Sequence, residues 1–421
     1  MLDLKRLLAD PEGFQAKLRA RDASVDLSPL TALDAERRAA IQRDEQLKSE
    51  QKAGAAEIGK GKSEGADTSA LEANMRALKD EGATLEARRK AIEDELTALV
   101  EVLPNISHES VPLDLDKKHN VVIREGGPTP RREHAPNHLE IAERLKLLDF
   151  EAGARIAGSG FPVYTGKGFQ LEWSLINYFL ERNIAAGYTP MGVPLLNSGA
   201  SLYASGQFPK FRDQVYKVPE DDLYLIPTSE VALCNLYRDQ IFEDAATLPL
   251  KYTAYTACFR REAGAHGSAE RGLIRIHQFN KTELFWFTTP EQSYDALERM
   301  TAHSESLVEG LGLPWRTSLL VSGDLGSQAT KTYDVEVWLP GQQAWYEVSS
   351  CSNCEDYQSR RGNIRYRDPE TKKLRFVHTL NGSALATSRL FVCLLENNVQ
   401  DDGSVVVPEV LRKWCGMERV G

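Results

Sequence analysis

Cys258-Phe-Arg-Arg-Glu262, a loop carrying Gly264, Gly267 and Gly272, and then Leu273-Ile-Arg-Ile-His-Gln-Phe-Asn-Lys-Thr-Glu-Leu-Phe285 decide the reading of this chain. Two β-type runs around a glycine-bearing loop predict an antiparallel hairpin. Alternation places Arg275, His277, Phe279 and Glu283 on one face of the second strand, while Arg260 and Glu262 share a face of the first. Arginine forks suit phosphate oxygens, a phenyl ring suits a base, and a carboxylate suits an ammonium group. The set fits ATP plus an amino acid. A chance charged surface strand is the plainer alternative, but it does not account for the aromatic ring among the charges.

Outward from the hairpin, short alternating runs continue, as at residues 333–339, and a helix is predicted over 171–185. Strands are not separated by regular helix-length intervals, so the pattern predicts an α+β domain on a mainly antiparallel sheet with flanking helices. Trp345-Tyr-Glu-Val-Ser-Ser350 adds hard oxygen ligands, Glu347 and the serine hydroxyls, of the kind Mg²⁺ prefers beside phosphates. No Gly-x-x-x-x-Gly-Lys-Ser/Thr and no Gly-x-Gly-x-x-Gly occurs, so side chains and metal must hold the phosphates.

Toward the N-terminus the composition changes. Residues 28–99 contain no Trp, Tyr or Phe and are rich in Ala, Glu, Lys, Arg and Leu. Leu71, Met75, Leu78, Gly82, Leu85, Arg89, Ile92, Leu96 and Leu99 step alternately by four and three, a coiled-coil seam, with a weaker one through Leu30, Leu33, Ala40, Leu47 and Ile58. Gly59, Gly61 and Gly65 predict the turn between two helices of nearly 30 residues, an antiparallel hairpin about 45 Å long. Arg37, Arg38, Arg43, Lys48 and Lys52 are its candidate RNA contacts, although a solvated charged face explains them equally well. Pro and Gly accumulate over 104–135, which predicts a linker between a helical arm (1–103, coiled coil about 28–99) and a second domain (136–421).

The 421 residues, 42% of them apolar, exceed one ordinary domain. A net charge of −10 argues against indiscriminate binding along nucleic acid backbones, so any RNA contact must be local. No run approaches a membrane span, and six scattered cysteines suit reduced thiols, so a soluble cytoplasmic protein without membrane association is expected. Cys351-Ser-Asn-Cys354 has no second ligand pair at zinc spacing, so no zinc is expected.

Phe259-Arg-Arg-Glu262 with Arg271-Gly-Leu-Ile-Arg-Ile-His-Gln-Phe279 closely resembles motif 2 of the seryl-tRNA synthetases, a class II family. Residues 187–194 resemble motif 1, and Leu380-Asn-Gly-Ser-Ala-Leu-Ala-Thr-Ser-Arg389 resembles motif 3. Thr228-Ser-Glu230, Glu347-Val-Ser-Ser-Cys-Ser-Asn353, Leu2-Asp-Leu-Lys5 and Leu103-Pro-Asn-Ile106 extend the likeness over essentially the whole chain. It implies ATP-dependent activation of L-serine and transfer to the tRNA for serine, and to the selenocysteine tRNA where one is present.

Carried over by residue, the resemblance implies that Arg260 meets the α-phosphate, Glu262 the adenine side and Arg275 the outer phosphates. Phe279 and Arg389 are implied to sandwich the adenine. Arg261, Ile276, Val348 and Ser349 complete the ATP set, and Glu347 and Ser350 are implied to hold Mg²⁺. Thr228, Ser229, Glu230, Arg260, Glu283 and Ser383 are implied to surround serine. The arm is implied to meet the variable arm of the tRNA and the motif 2 loop its acceptor end, although Ser268, Ala269 and Glu270 depart from the family's usual Arg, Asp and Thr. The motif 1 segment implies a homodimer. A truncated amino acid:carrier-protein ligase, which lacks the arm, and an inactive synthetase-like interaction protein, which would not need these side chains, are the competing readings.

Overall fold

The computed structural model describes residues 1–129, 131–263 and 272–421. It divides into two compact units, one of Leu2–Leu103 and one of Pro104–Gly421 together with Met1.

In the N-terminal unit two long helices pair, α1 (Ser28–Ser63) and α2 (Ser69–Glu101). All nine seam positions of α2 are at least half-buried, with Leu78, Ile92 and Leu96 fully so. The facing seam on α1 is more polar than its leucines suggest, since Gln51 donates to the Leu78 carbonyl at 3.1 Å and Gly54 leaves room for Met75. The helices run to 36 and 33 residues, longer than expected. Gly59 and Gly61 stay helical, and only Gly65 (φ +73°) sits in the turn.

The larger unit is built on eight strands: β1 (Val121–Gly126), β2 (Thr189–Pro190), β3 (Leu250–Phe259), β4 (Gln278–Thr288), β5 (Trp315–Leu319), β6 (Lys331–Leu339), β7 (Ala344–Glu355) and β8 (His378–Ala386). Their order across the sheet is β1-β5-β6-β7-β8-β4-β3-β2, antiparallel at every step except β2 with β3. Helices α3 (Lys167–Ala185), α4 (Glu230–Cys234), α5 (Ser293–Gly310), α6 (Tyr357–Gly362) and α7 (Thr387–Asn398) flank it. The β3–β4 hairpin runs in unbroken register from Phe259↔Gln278 to Leu250↔Phe287. Alternation along β4 feeds two cores: Leu284 and Trp286 join the cluster under α5 and α7, while Phe285 and Phe287 join Leu233, Tyr252 and Tyr366. Each such buried side chain is worth about 1.5–3 kcal/mol.

Three expectations change. The stretch expected as a linker, 104–135, supplies the outer strand β1 and buries Asn105, whose amide donates to the carbonyls of Gln328 and Cys354. Backbone groups there find partners in the sheet even though the sequence lacks apolar periodicity. The segment that resembles motif 1, 187–194, whose family likeness implies a strand after the 171–185 helix, forms only the short β2, because Pro190 and Pro194 offer no N–H to a ladder. Arg275, Ile276 and His277 precede β4 rather than belonging to it, and Arg260 and Glu262 lie beyond β3. The side chains were therefore not placed by simple alternation.

Candidate active site

The middle of the sheet brings the candidate residues together. Register sets Glu283 of β4 opposite Ser383 of β8, Gly382 opposite Cys351 of β7, and Ser350 opposite Asp334 of β6. Motifs separated by up to a hundred residues thus share adjacent strands.

At one end is a buried polar pocket. Glu283, 2% exposed, accepts from Thr228 Oγ1 at 3.0 Å and pairs with Lys281 Nζ at 2.6 Å. Glu230 opens α4, and its Oε1 accepts from Gln358 Nε2 at 2.6 Å and Asn381 Nδ2 at 3.2 Å. Burial, with the nearby Glu283 carboxylate, pushes the Glu230 acid up to about 7, against the opposing pull of Lys281. Thr379 in turn donates to Gln358 Oε1 at 2.7 Å, fixing the amide's orientation. A small ligand carrying an ammonium and a hydroxyl matches two carboxylates and a hydroxyl better than an apolar one does.

Beside it lie the cationic and aromatic groups. The Arg260 guanidinium sits 5.1 Å from the centre of the Phe279 ring, and its backbone N–H donates to the His277 carbonyl at 2.9 Å. Arg275 pairs with Glu262 at 2.6 Å, and Glu262 occupies left-handed backbone at φ +48°, which costs a non-glycine residue about 1–2 kcal/mol. Arg389, from the first turn of α7, donates to the Glu347 carbonyl at 2.7 Å and lies 3.4 Å from its carboxylate. His277 Nδ1 lies 2.9 Å from the Arg260 carbonyl, a positioning contact.

Several expected residues point elsewhere. Ile276 and Val348 are buried in the main core, so only their backbone groups can face a ligand. The Ser229 hydroxyl turns to the Ala254 carbonyl at 3.4 Å. That of Ser349 donates to the Ser383 carbonyl at 2.6 Å. Arg261 reaches the Asp213 carbonyl at 3.3 Å. His266 and the rest of the motif 2 loop, 264–271, lie outside the described residues, as does Pro130.

Sequence reasoning missed Lys281, Gln358, Asn381 and Asp334. Lys281 alternates with Glu283 on one face of the strand and was legible in principle; the others depend on pairings across the fold. Asp334 bonds Ser350, while its buried Oδ1 has no hydrogen-bond partner among the described residues. Burial and the neighbouring Glu347 hold its acid well above the usual carboxylate range. All six cysteines are buried and unpaired, and burial pushes the Cys351 thiol up to about 11. Among the described residues no group of three or more His, Cys, Asp or Glu side chains is arranged to hold a metal by itself.

On the arm the basic residues are engaged within the hairpin. Arg43 bridges to Glu81 at 2.7 and 2.9 Å, Arg37 and Arg38 contact Asp34, and Lys48 reaches Asp44. Lys52 is exposed. The pairs of Arg43 and Lys48 lie at the surface and contribute about 0–1 kcal/mol each, whereas Asp34 is buried beneath Arg37 and Arg38.

An eight-stranded sheet of this order, antiparallel but for one edge pairing, with phenylalanine and glutamate on its central strands and arginines at their ends, defines a class II aminoacyl-tRNA synthetase core, and the family model "tRNA synthetase class II core domain (G, H, P, S and T)" matches residues 214–398. The model of the seryl-tRNA synthetase N-terminal domain matches residues 1–107. A serine–tRNA ligase of Nitratidesulfovibrio vulgaris is 47% identical over 423 residues, covering 100% of both chains. The seryl-tRNA synthetase of Pyrococcus horikoshii, solved with ATP, superimposes with a TM-score of 0.93 at 35% identity over 100% of this chain and 99% of its own. The cytoplasmic serine–tRNA ligase of Naegleria fowleri, solved with AMP, gives 0.88 at 28% identity over 100% and 98%. This chain belongs to the seryl-tRNA synthetase family.

Proposed function

We infer that the protein activates L-serine with ATP to seryl-adenylate and transfers the seryl group to the 3′ end of tRNA. The observation that carries this is the buried polar cluster of Thr228, Glu230, Lys281 and Glu283, centred on the strand β4 that also carries Phe279, with Arg260 just beyond the end of β3. Glu230 and Glu283 hold the serine ammonium and hydroxyl, with Thr228 and Ser383 beside them. A site that pairs a hydroxyl rejects an analogue lacking it by about 10⁴ or more, so alanine is excluded by chemistry and threonine by size.

The serine carboxylate attacks the α-phosphorus in line, the bond to the bridging oxygen breaks, and pyrophosphate leaves. Arg260 neutralises charge at the α-phosphate, while Arg275, released from Glu262, takes the outer phosphates. Phe279 and Arg389 grip the adenine, and Glu262 and Arg261 complete its surroundings. The terminal adenosine hydroxyl then attacks the adenylate carbonyl and AMP leaves.

Mg²⁺ fits the donor set at Glu347 and Ser350, both hard oxygens, with the orphaned Asp334 Oδ1 behind them. When bound it supplies electrostatic stabilisation of phosphate charge.

The arm, 1–103, reads the variable arm of the serine tRNA by shape, with Arg37, Arg38, Arg43, Lys48 and Lys52 as its contacts, and residues 136–421 carry catalysis. The acceptor end meets the motif 2 loop, and the selenocysteine tRNA, where present, is a second substrate. A homodimer is supported by α3, which exposes Phe169 (53%) and Trp173 (45%). No helix among the described residues is long and apolar enough to cross a membrane, in keeping with a cytoplasmic enzyme.

Serine-dependent exchange of labelled pyrophosphate into ATP, followed by charging of tRNA, tests the reading. Exchange with serine but not alanine or threonine is expected; equal exchange with all three, or none, overturns it.

A further inference from the structure

Behind the nucleotide face, one buried carboxylate joins three segments far apart in sequence. Glu172 of α3 is 4% exposed, and its Oε1 accepts from Asn280 Nδ2 at 2.9 Å and from Thr387 Oγ1 at 2.8 Å. The Thr387 hydroxyl also lies 3.1 Å from the Asn280 carbonyl, and the Tyr255 hydroxyl donates to Asn280 Oδ1 at 3.2 Å. Asn280 follows Phe279 in β4, and Thr387 begins α7 two residues before Arg389. The strand that carries the ring and the helix that carries the guanidinium are thus pinned to a single oxygen.

Stability alone gives no reason for an acid here. Burying a carboxylate costs free energy that an apolar side chain of similar volume would not, and burial holds the Glu172 acid above its ordinary range. What a satisfied polar network adds is a unique geometry, because each bond fixes both distance and angle. The geometry fixed in this case is the separation of the start of β4, which carries Phe279, from the first turn of α7, which carries Arg389.

We propose that Glu172 is a positioning residue for adenylation, setting the spacing of Phe279 and Arg389 and hence the affinity for ATP. The proposal rests on the reading of those two side chains as the adenine clamp. It also links the clamp to the exposed face of α3. Trp173, the next residue, stacks on Phe169 at 6.2 Å and meets the Tyr255 ring edge-on at 6.3 Å. Tyr255 donates to the same Asn280, so Trp173 fluorescence reports on the network.

The test compares Glu172→Ala, Glu172→Gln and Thr387→Val with the wild-type chain, by pyrophosphate exchange and by equilibrium binding of ATP. The alanine and valine variants are expected to raise KM for ATP about tenfold and to weaken ATP binding in parallel, with KM for serine changed less than about twofold. Glu172→Gln, whose amide oxygen still accepts both bonds, should stay within about threefold of wild type. Should Glu172→Ala fail to fold, Thr387→Val, which exchanges one hydroxyl for a methyl, carries the comparison. The ATP-induced change in fluorescence, assigned by its loss in Trp173→Phe, should shrink in Glu172→Ala and persist in Glu172→Gln.

Phe279→Ala separates the two layers of the argument. Unchanged ATP affinity in Phe279→Ala sinks the adenine clamp and the proposal with it. Weakened ATP affinity in Phe279→Ala, together with wild-type ATP affinity in Glu172→Ala or equal losses for ATP and serine, leaves the clamp standing and overturns the role of Glu172.

Discussion

Replacing Lys281 by Met probes the pocket where the structure makes its strongest commitment. The Lys281 and Glu283 side chains are 9% and 2% exposed and meet at 2.6 Å. Methionine keeps most of the buried volume but leaves the Glu283 carboxylate, among the described residues, with the Thr228 hydroxyl, 3.0 Å away, as its side-chain partner. Removing one partner of a buried pair costs about 3–5 kcal/mol, since the remaining charge stays desolvated. Some of that loss appears in stability and some in the geometry offered to serine. If about 3 kcal/mol falls on the transition state, kcat/KM for serine drops about a hundredfold, at about 1.4 kcal/mol per decade. KM for ATP should change little, because Arg260 and Phe279 are untouched. Pyrophosphate exchange at varied serine and ATP measures both. Urea denaturation completes a double-mutant cycle, in which Lys281→Met/Glu283→Gln should be more stable than Lys281→Met alone, since no unpaired charge remains buried. A drop in kcat/KM for serine smaller than about threefold, with a double variant no more stable than the single, would refute the pair as the organiser of the pocket.

Glu230 gives a pH dependence of defined sign. Its folded acid is held up at about 7 from an ordinary 4.5, so its contribution to stability is fully present below about 4.5 and is lost as pH rises through about 7. Serine's ammonium favours the ionised carboxylate, so serine binding should release a proton and tighten as pH rises toward 7. Calorimetry in buffers of different ionisation enthalpy checks this, and Glu230→Gln should erase the proton release. Replacing residues 28–101 by a short loop should leave pyrophosphate exchange intact while abolishing charging of serine tRNA at micromolar concentration. Retained charging would remove the arm from tRNA recognition. Trp173→Asp should shift sedimentation toward the monomer mass, and an unchanged dimer would place the subunit contact away from the exposed face of α3.

What the sequence determined by itself was whatever is written in local periodicity and residue chemistry. The three–four spacing from Leu71 to Leu99 specifies a helical hairpin, because only one stripe of each helix can be buried against its partner. The alternation up to Phe287 specifies a strand, and Arg260, Arg275, Phe279 and Glu283 announce a phosphorylated planar ligand with a charged amine, while Arg389 was legible only through the family resemblance. Tertiary structure decided everything that depends on register between distant segments. Gln358 and Asn381 reach Glu230 from 128 and 151 residues away, and Thr387 reaches Glu172 from 215. No pattern along the chain records those meetings. The same holds for residues 104–135, whose prolines and glycines read as a linker, yet whose backbone completes the sheet edge at β1. Periodicity encodes which face of an element is buried; which buried polar groups share a proton or a ligand is fixed only when the strands are set side by side.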